Sequence, residues 1–309
     1  MKIGWYLPHL KKFGGVRRAL ESCEEMAKLG HDVTIYHSDG SPCDWFNPSF
    51  KIKSEKQMYL DEMDVLVHTM ESDYQKAISV NAKLKVYYIL HYGVLYKHPE
   101  ICKASYQQKG NLHLANSEWT ANHILSETGS KPQVVHGGLN QNMFKDLGLE
   151  RSKDKFVVRA YGHPRVWKGR EDVKFAIEML KEQIPNLDFK FFHDMNLTDE
   201  QYVEEINKTH IYISGSWFEG WSQIQLESMA CGTAVVTTRD GGSEDYCEDG
   251  MNCIQTEPKK PMEIIEAVMK LYNDRKLMAK LIENGFETAK KFTWKQSAEE
   301  LIKIFKLQI

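Results

Sequence analysis

WFEGWSQIQLESMACGTAVV, residues 217–236, reads as loop, helix, stop and buried strand. Ser222 is placed to cap the helix and Gly232 to stop it. Ile224, Leu226, Met229 and Ala230 supply the apolar contacts between them. Two carboxylates stand eight positions apart, Glu219 in the loop and Glu227 inside the helix. The loop carries Gly215 and Gly220, and it follows the strand-like run IYIS. It therefore lies at the carboxyl end of a strand, where open α/β sheets bind ligands. A helix start at that place offers N–H groups and the positive end of a dipole, so a phosphate is the natural guest. Side chains on a helix lean towards its N-terminus. Glu227 is thus placed to reach hydroxyls of whatever carries the phosphate, and Glu219 to reach another part of the same ligand.

Outward from this stretch the chain alternates strands with helices. KIGWYL, a loop, VRRALESCEEMAKLG and HDVTIYH open it, and Val16, Leu20, Cys23, Met26 and Ala27 form one apolar face at helical spacing. DVLVHT, KVYYIL, LHLAN and VVHGG follow as short apolar runs. A second series begins near Lys155, with KFVVRAYG as strand, REDVKFAIEMLKEQIP as helix, LDFKFFH as strand and TDEQYVEEINK in capping-box spacing at Thr198 and Gln201. The end is helical, PMEIIEAVMKLYNDRKLMAKLIENG and then TWKQSAEELIKIFKL. Such alternation predicts parallel sheets with helices on both faces, in two α/β halves joined near residues 145–153.

Composition narrows the class. The 309 residues carry a net charge of -3, which gives no global footprint for nucleic acid. Six cysteines are scattered without a C-x-x-C pair, which argues against a zinc site or a disulfide scaffold and for reduced thiols in a cytoplasmic protein. No secretory signal is expected in MKIGWYLP, and no apolar run approaches the roughly 20 residues of a membrane span.

The segment E-G-W-S-Q-I-Q-L-E-S-M-A-C-G-T-A-V-V resembles the E-x7-E signature of glycosyltransferase family 4. YGHPRVWKG, residues 161–169, is similar to that family's G-R-L-x-x-x-K-G segment, with Lys168 in the place of the diphosphate-binding lysine. His163 stands where the family usually has Arg, and Arg165 is the residue placed to compensate. GGVRRALESCEEMAKLGHDVTIY resembles the opening Gly-Gly loop and first helix, so Gly14 and Gly15 would admit the diphosphate or the acceptor; the dinucleotide pattern G-x-G-x-x-G is absent there. LANSEWTANHIL and VVHGGLNQNMF look like two structural segments of the family, the second departing at His136 and Gly137. DGGSEDYCEDGMNC resembles its G-G-x-x-E…D-G-x-N-G stretch, with Asp245 in the acidic place and Cys253 in that of the last Gly.

The resemblance implies the GT-B fold. Two Rossmann-like domains would face each other across a cleft, residues 1–148 on the acceptor side and 149–292 on the nucleotide-sugar side. Residues 293–309 would form a helix returning to the first domain. It implies retaining transfer of a sugar from a nucleotide-diphosphate donor, UDP- or GDP-type, to a saccharide or lipid-linked hydroxyl. Glu219 would contact the donor sugar and Glu227 the ribose. The backbone of Gly220, Trp221, Ser222 and Gln223 would hold the diphosphate together with Lys168, Arg165 and His163. His91, after YYIL, stands where several relatives place a His near the reacting centre. No metal and no further cofactor are implied.

An inactive nucleotide-sugar-binding protein on the same fold is the alternative reading. It is motivated by His163 and by a short region, 193–209, where the family has another strand and helix. Trp5, Tyr6, His9, Trp45 and Phe46 are candidates to stack on an acceptor sugar. Lys11, Lys12, Arg17 and Arg18 are expected at the lip of the cleft, suiting an anionic acceptor or a peripheral contact at the inner membrane face. The donor base, the acceptor and the oligomeric state stay open.

Overall fold

The computed structural model describes residues 1–96 and 98–309, and it divides into two compact units. The first comprises Met1–Gly138 and Phe292–Ile309. Its strands are β1 (Lys2–Leu7), β2 (Asp32–His37), β3 (Lys51–Ser54), β4 (Met63–His68), β5 (Ala82–Ile89), β6 (Leu112–Ala115) and β7 (Gln133–Val134). They form one parallel sheet in the order β3-β2-β1-β4-β5-β6-β7. β1 and β2 are buried in five of six residues, as strands covered on both faces should be. The helix Gly14–Lys28 covers one face through Val16, Leu20, Cys23 and Met26.

The last helix, Trp294–Gln308, belongs to this unit. A capping box of Thr293 and Gln296 starts it, and Leu301, Ile302 and Phe305 enter the same apolar cluster as Val16 and Leu20. Gly138 admits it. A Cβ there would stand 2.1 Å from the Trp294 nitrogen.

The second unit, Leu139–Lys291, carries β8 (Phe156–Ala160), β9 (Leu187–Phe191), β10 (Ile211–Ser214), β11 (Ala234–Thr238) and β12 (Ile254–Thr256), parallel in the order β12-β11-β10-β8-β9. The boundary falls at Leu139 rather than 148 because residues 144–147 are tied into this unit. Asn207 accepts from the Leu147 amide at 2.8 Å and donates to the Lys145 carbonyl at 3.1 Å, and Phe144 stands edge-on to Tyr202. The helical run read from Pro261 onward is two helices, Pro261–Asn273 and Arg275–Ala289. Asp274 breaks it, its side chain accepting from the Leu277 amide. Between β9 and β10 stand only a single turn, Phe192–Asp194, and the helix Asp199–Lys208, whose capping box is formed as read from Thr198 and Gln201.

Candidate active site

Three loops of the second unit meet beyond the carboxyl ends of β8, β10 and β11: residues 161–169, 215–222 and 239–243. Glycines allow the approach. Gly169 has φ +60°, and a Cβ there would lie 1.8 Å from the Gly215 carbonyl oxygen. A Cβ on Gly242 would lie 2.5 Å from the Gly220 oxygen and 2.7 Å from that of Glu219. Backbone hydrogen bonds join the loops, Glu219 N–H to Asp240 O at 2.8 Å and Trp217 N–H to Trp167 O at 2.7 Å.

These contacts bring Lys168 and Glu219 together. The Lys168 ammonium donates to Glu219 Oε1 at 2.5 Å, with the side chains 22% and 13% exposed. Two residues 51 positions apart, read as contacts to different parts of one ligand, hold each other. Behind them lies Asp240, which is fully buried. Ser243 donates to its Oδ1 from the backbone at 2.9 Å and from the hydroxyl at 2.7 Å, and Gln225 Nε2 reaches Oδ2 at 3.3 Å. Burial first, and then the negative charge of Glu219, push the Asp240 carboxyl up to about 7, against the opposing pull of Lys168.

The helix Gln223–Ala230 follows at once. Ser222 stands at its N-cap but caps no amide, which corrects the sequence reading. Its hydroxyl donates instead to Gln225 Oε1 at 2.5 Å, because Gln225 is fully buried and needs a donor. The Ser222 carbonyl accepts from the Tyr246 hydroxyl, and the ring of Tyr246 packs 5.0 Å from that of Trp221. The first turn of the helix holds no acidic side chain, and Ser222 gives it no side-chain cap. Gly220, Trp221, Ser222 and Gln223 thus line the approach to a positive helix end. Glu227 is buried one turn in and accepts from the Tyr202 hydroxyl at 3.1 Å. Burial and then the charge of Glu227 raise the pKa of Tyr202.

His163 and Arg165 share the loop of Lys168. The Arg165 amide donates to His163 Nδ1 at 3.1 Å, and the guanidinium lies 5.5 Å from the centre of the Trp167 ring. Burial, then the charge of Arg165, lower the His163 pKa, which disfavours a second positive charge beside Arg165.

Gly14, Gly15 and His91 lie on the first unit. The two glycines open the helix Gly14–Lys28. A Cβ on Gly14 would meet nothing within 4 Å, and one on Gly15 only Leu90 at 3.6 Å, so internal packing does not demand either. His91 follows β5 and stands edge-on to Tyr96 at 5.1 Å. The expected basic lip is reduced. Arg18 is buried, donating to the Val135 carbonyl at 2.9 Å and to the Tyr88 hydroxyl. Arg17 lies 5.2 Å over the Trp45 ring, and Lys11 and Lys12 are exposed. Trp5 and Tyr6 are core residues of β1 and unavailable for stacking. Trp45 is half-buried and donates to the Leu10 carbonyl.

Asp240, Gln225 and Tyr202 were not read as site residues. Asp240 sits in the DGG stretch quoted for its glycines, but nothing local announces that its carboxyl is buried. Among the described residues no three His, Cys, Asp or Glu side chains converge to hold a metal, and no helix is long and apolar enough to cross a membrane.

The model of the glycosyl transferases group 1 family matches residues 144–288, within the second unit. An uncharacterized glycosyltransferase of Methanocaldococcus jannaschii is 23% identical over 312 residues, covering 97% of this chain and 83% of that protein. Sucrose-phosphate synthase from Thermosynechococcus elongatus matches with a TM-score of 0.79 at 13% identity, over 99% of this chain and 98% of that one. The fold is GT-B. HepE of Anabaena, solved with UDP-glucose, matches at 0.74 and 15% identity over 99% of both chains. Together these findings support a GT-B glycosyltransferase.

Proposed function

We propose that this protein is a retaining glycosyltransferase of the family 4 type, which moves a sugar from a nucleotide-diphosphate donor to an acceptor hydroxyl without a metal. The observation that carries the reading is the Lys168–Glu219 pair beside the uncapped start of the helix Gln223–Ala230. An arriving diphosphate takes the helix end and competes with Glu219 for the Lys168 ammonium. Glu219, released, turns its carboxylate to the sugar hydroxyls. Glu227, oriented by Tyr202, accepts from the ribose hydroxyls. Lys168 and Arg165 then stabilise the charge that develops on the departing diphosphate, a preorganised electrostatic contribution. The acceptor hydroxyl attacks from the side of the leaving group as the anomeric carbon–oxygen bond breaks, passing its proton to the departing diphosphate oxygen; the anomeric configuration is kept, and no protein nucleophile is assigned.

A UDP-type donor is favoured over GDP because HepE binds UDP-glucose on the same fold. Gly14 and Gly15 are proposed to admit the diphosphate or the acceptor, and His91 to meet the transferred sugar near its reacting centre. Lys11 and Lys12 suit an anionic acceptor, including a lipid-linked one at the cytoplasmic membrane face. Salt-sensitive sedimentation with anionic vesicles, absent with neutral ones, tests the lipid-linked form.

The test of the transfer is to incubate the protein with a panel of UDP- and GDP-sugars and follow the anomeric proton by NMR. Transfer, or slow hydrolysis, releasing a product of the donor's own anomeric configuration is expected. Binding without consumption of any donor would favour the inactive binding protein, and an inverted product would overturn the retaining assignment.

A further inference from the structure

We propose that β9 is the docking edge for a second copy of this chain, the two β9 strands pairing antiparallel across a two-fold axis at Phe189. The common doubly wound sheet has six strands in the order 3-2-1-4-5-6. The second unit has five, β12-β11-β10-β8-β9, which match 6-5-4-1-2. The missing strand is the one that would lie outside β9, and the short connection between β9 and β10 has no strand to supply it. β9 therefore ends the sheet with one edge open among the described residues. An open edge is a template for another strand, and proteins either blunt it or use it.

The residues of β9 select the partner. Antiparallel pairing centred on Phe189 sets Leu187 opposite Phe191, Phe189 opposite its own copy, and Asp188 opposite Lys190 in both halves. Directly opposite residues share a face of the sheet and interact. One face thus becomes an apolar ladder of Leu187, Phe189 and Phe191, and the other carries two oppositely charged pairs. Centring the axis on Asp188 or on Lys190 would instead set like charges face to face. Lys190 is exposed and repels strands that offer no acid, whereas its own copy offers Asp188. Arg159 holds Asp188 Oδ1 at 3.0 Å and Lys155 stands 3.7 Å from its other oxygen, which leaves the carboxylate about a quarter exposed towards the edge, where the partner's Lys190 would join them.

A groove of about 410 Å³ runs beside this edge. Ile177, Phe189 and Phe191 give it apolar surface, and Lys174, Lys181 and Glu178 bring both charge signs to it. Side chains of the partner's ladder fall on this same side. A two-fold partner meets mixed charges with mixed charges, which a strongly acidic or basic partner would not.

The experiment joins sedimentation with cross-linking in the full chain. Wild type should show a concentration-dependent dimer, and Lys190→Glu, an exposed change, should weaken it at least tenfold. Under mild oxidation Phe189→Cys should cross-link to itself, because opposite Cα atoms of an antiparallel pair lie about 4.5–5.5 Å apart. Leu187→Cys should not, since its copy is displaced by four residues, roughly 13 Å. A wild type that stays monomeric, a dimer indifferent to Lys190→Glu, or cross-linking of Phe189→Cys no better than of Leu187→Cys would each overturn the proposal.

Discussion

The turn after β8 and the turn after β1 are both glycine-containing and basic, yet they are built in opposite ways. In the first, Gly169 is required. Its left-handed backbone presses on Gly215, and that contact carries Lys168 to Glu219. In the second, Gly14 faces open space, and of the four nearby cations Arg18 is turned into the core. The first turn is a site locked by its own packing. The second is a surface whose one internal cation does structural work. A basic, glycine-bearing motif therefore says little until it is known what its backbone must touch.

Several substitutions sharpen or break this contrast. The largest effect is expected at Lys168, where Lys168→Ala should lower kcat/KM by roughly 10²–10³-fold, the typical cost of one preorganised charge-stabilising group. Steady-state kinetics with matched melting curves measure it, and an unchanged kcat/KM would remove Lys168 from the site. Gly169→Ala should destabilise the protein by about 1–3 kcal/mol, since a side chain there adds strain and a backbone clash. Gly14→Ala should be neutral or stabilising by up to about 1 kcal/mol. Denaturant titrations that showed equal losses would erase the distinction between the two turns. Within the basic segment, Arg18→Ala should cost about 1–3 kcal/mol by stranding the groups it serves, while Lys11→Ala, at an exposed position, should stay within about 0.5 kcal/mol.

The smallest expected effect is a slope. Asp240 has a folded pKa raised from 3.8 to about 7, so the native state keeps its proton longer than the unfolded chain does. Its contribution to stability is fully present below the unfolded value and is lost as pH rises through the folded one. Asp240→Asn should flatten the fall of stability between about pH 4 and pH 7. Melting curves across that window check it, and an identical slope in the variant would contradict the buried, proton-holding carboxyl.

Where the sequence spoke clearly, the signal was local. KIGWYL, IYIS and AVVTT are strands because each is a short apolar run between turn signals, and the capping box read at Thr198 and Gln201 formed because it needs only four adjacent residues. The strand Lys51–Ser54 escaped notice because KIKS is polar and half-exposed at a sheet edge. The candidate site was legible in its members more than in their relations. Glu219, Glu227 and Lys168 stood out by spacing and resemblance. That Lys168 binds Glu219, that Gln225 takes the Ser222 hydroxyl, and that Tyr202 orients Glu227 depend on loops that fold together from distant positions. Arg18 misled for the same reason, because its acceptors, Tyr88 and Val135, lie 70 and 117 residues away.

The central claim is that the locked turn and the helix start beyond β10 form a nucleoside-diphosphate site. Calorimetric titration of wild type and Glu227→Gln with UDP and GDP tests it most directly. One of the two nucleotides should bind wild type. Binding to Glu227→Gln should weaken by roughly 1–3 kcal/mol through loss of a charged hydrogen bond. No heat with either nucleotide, or the same affinity in the variant, would contradict the account.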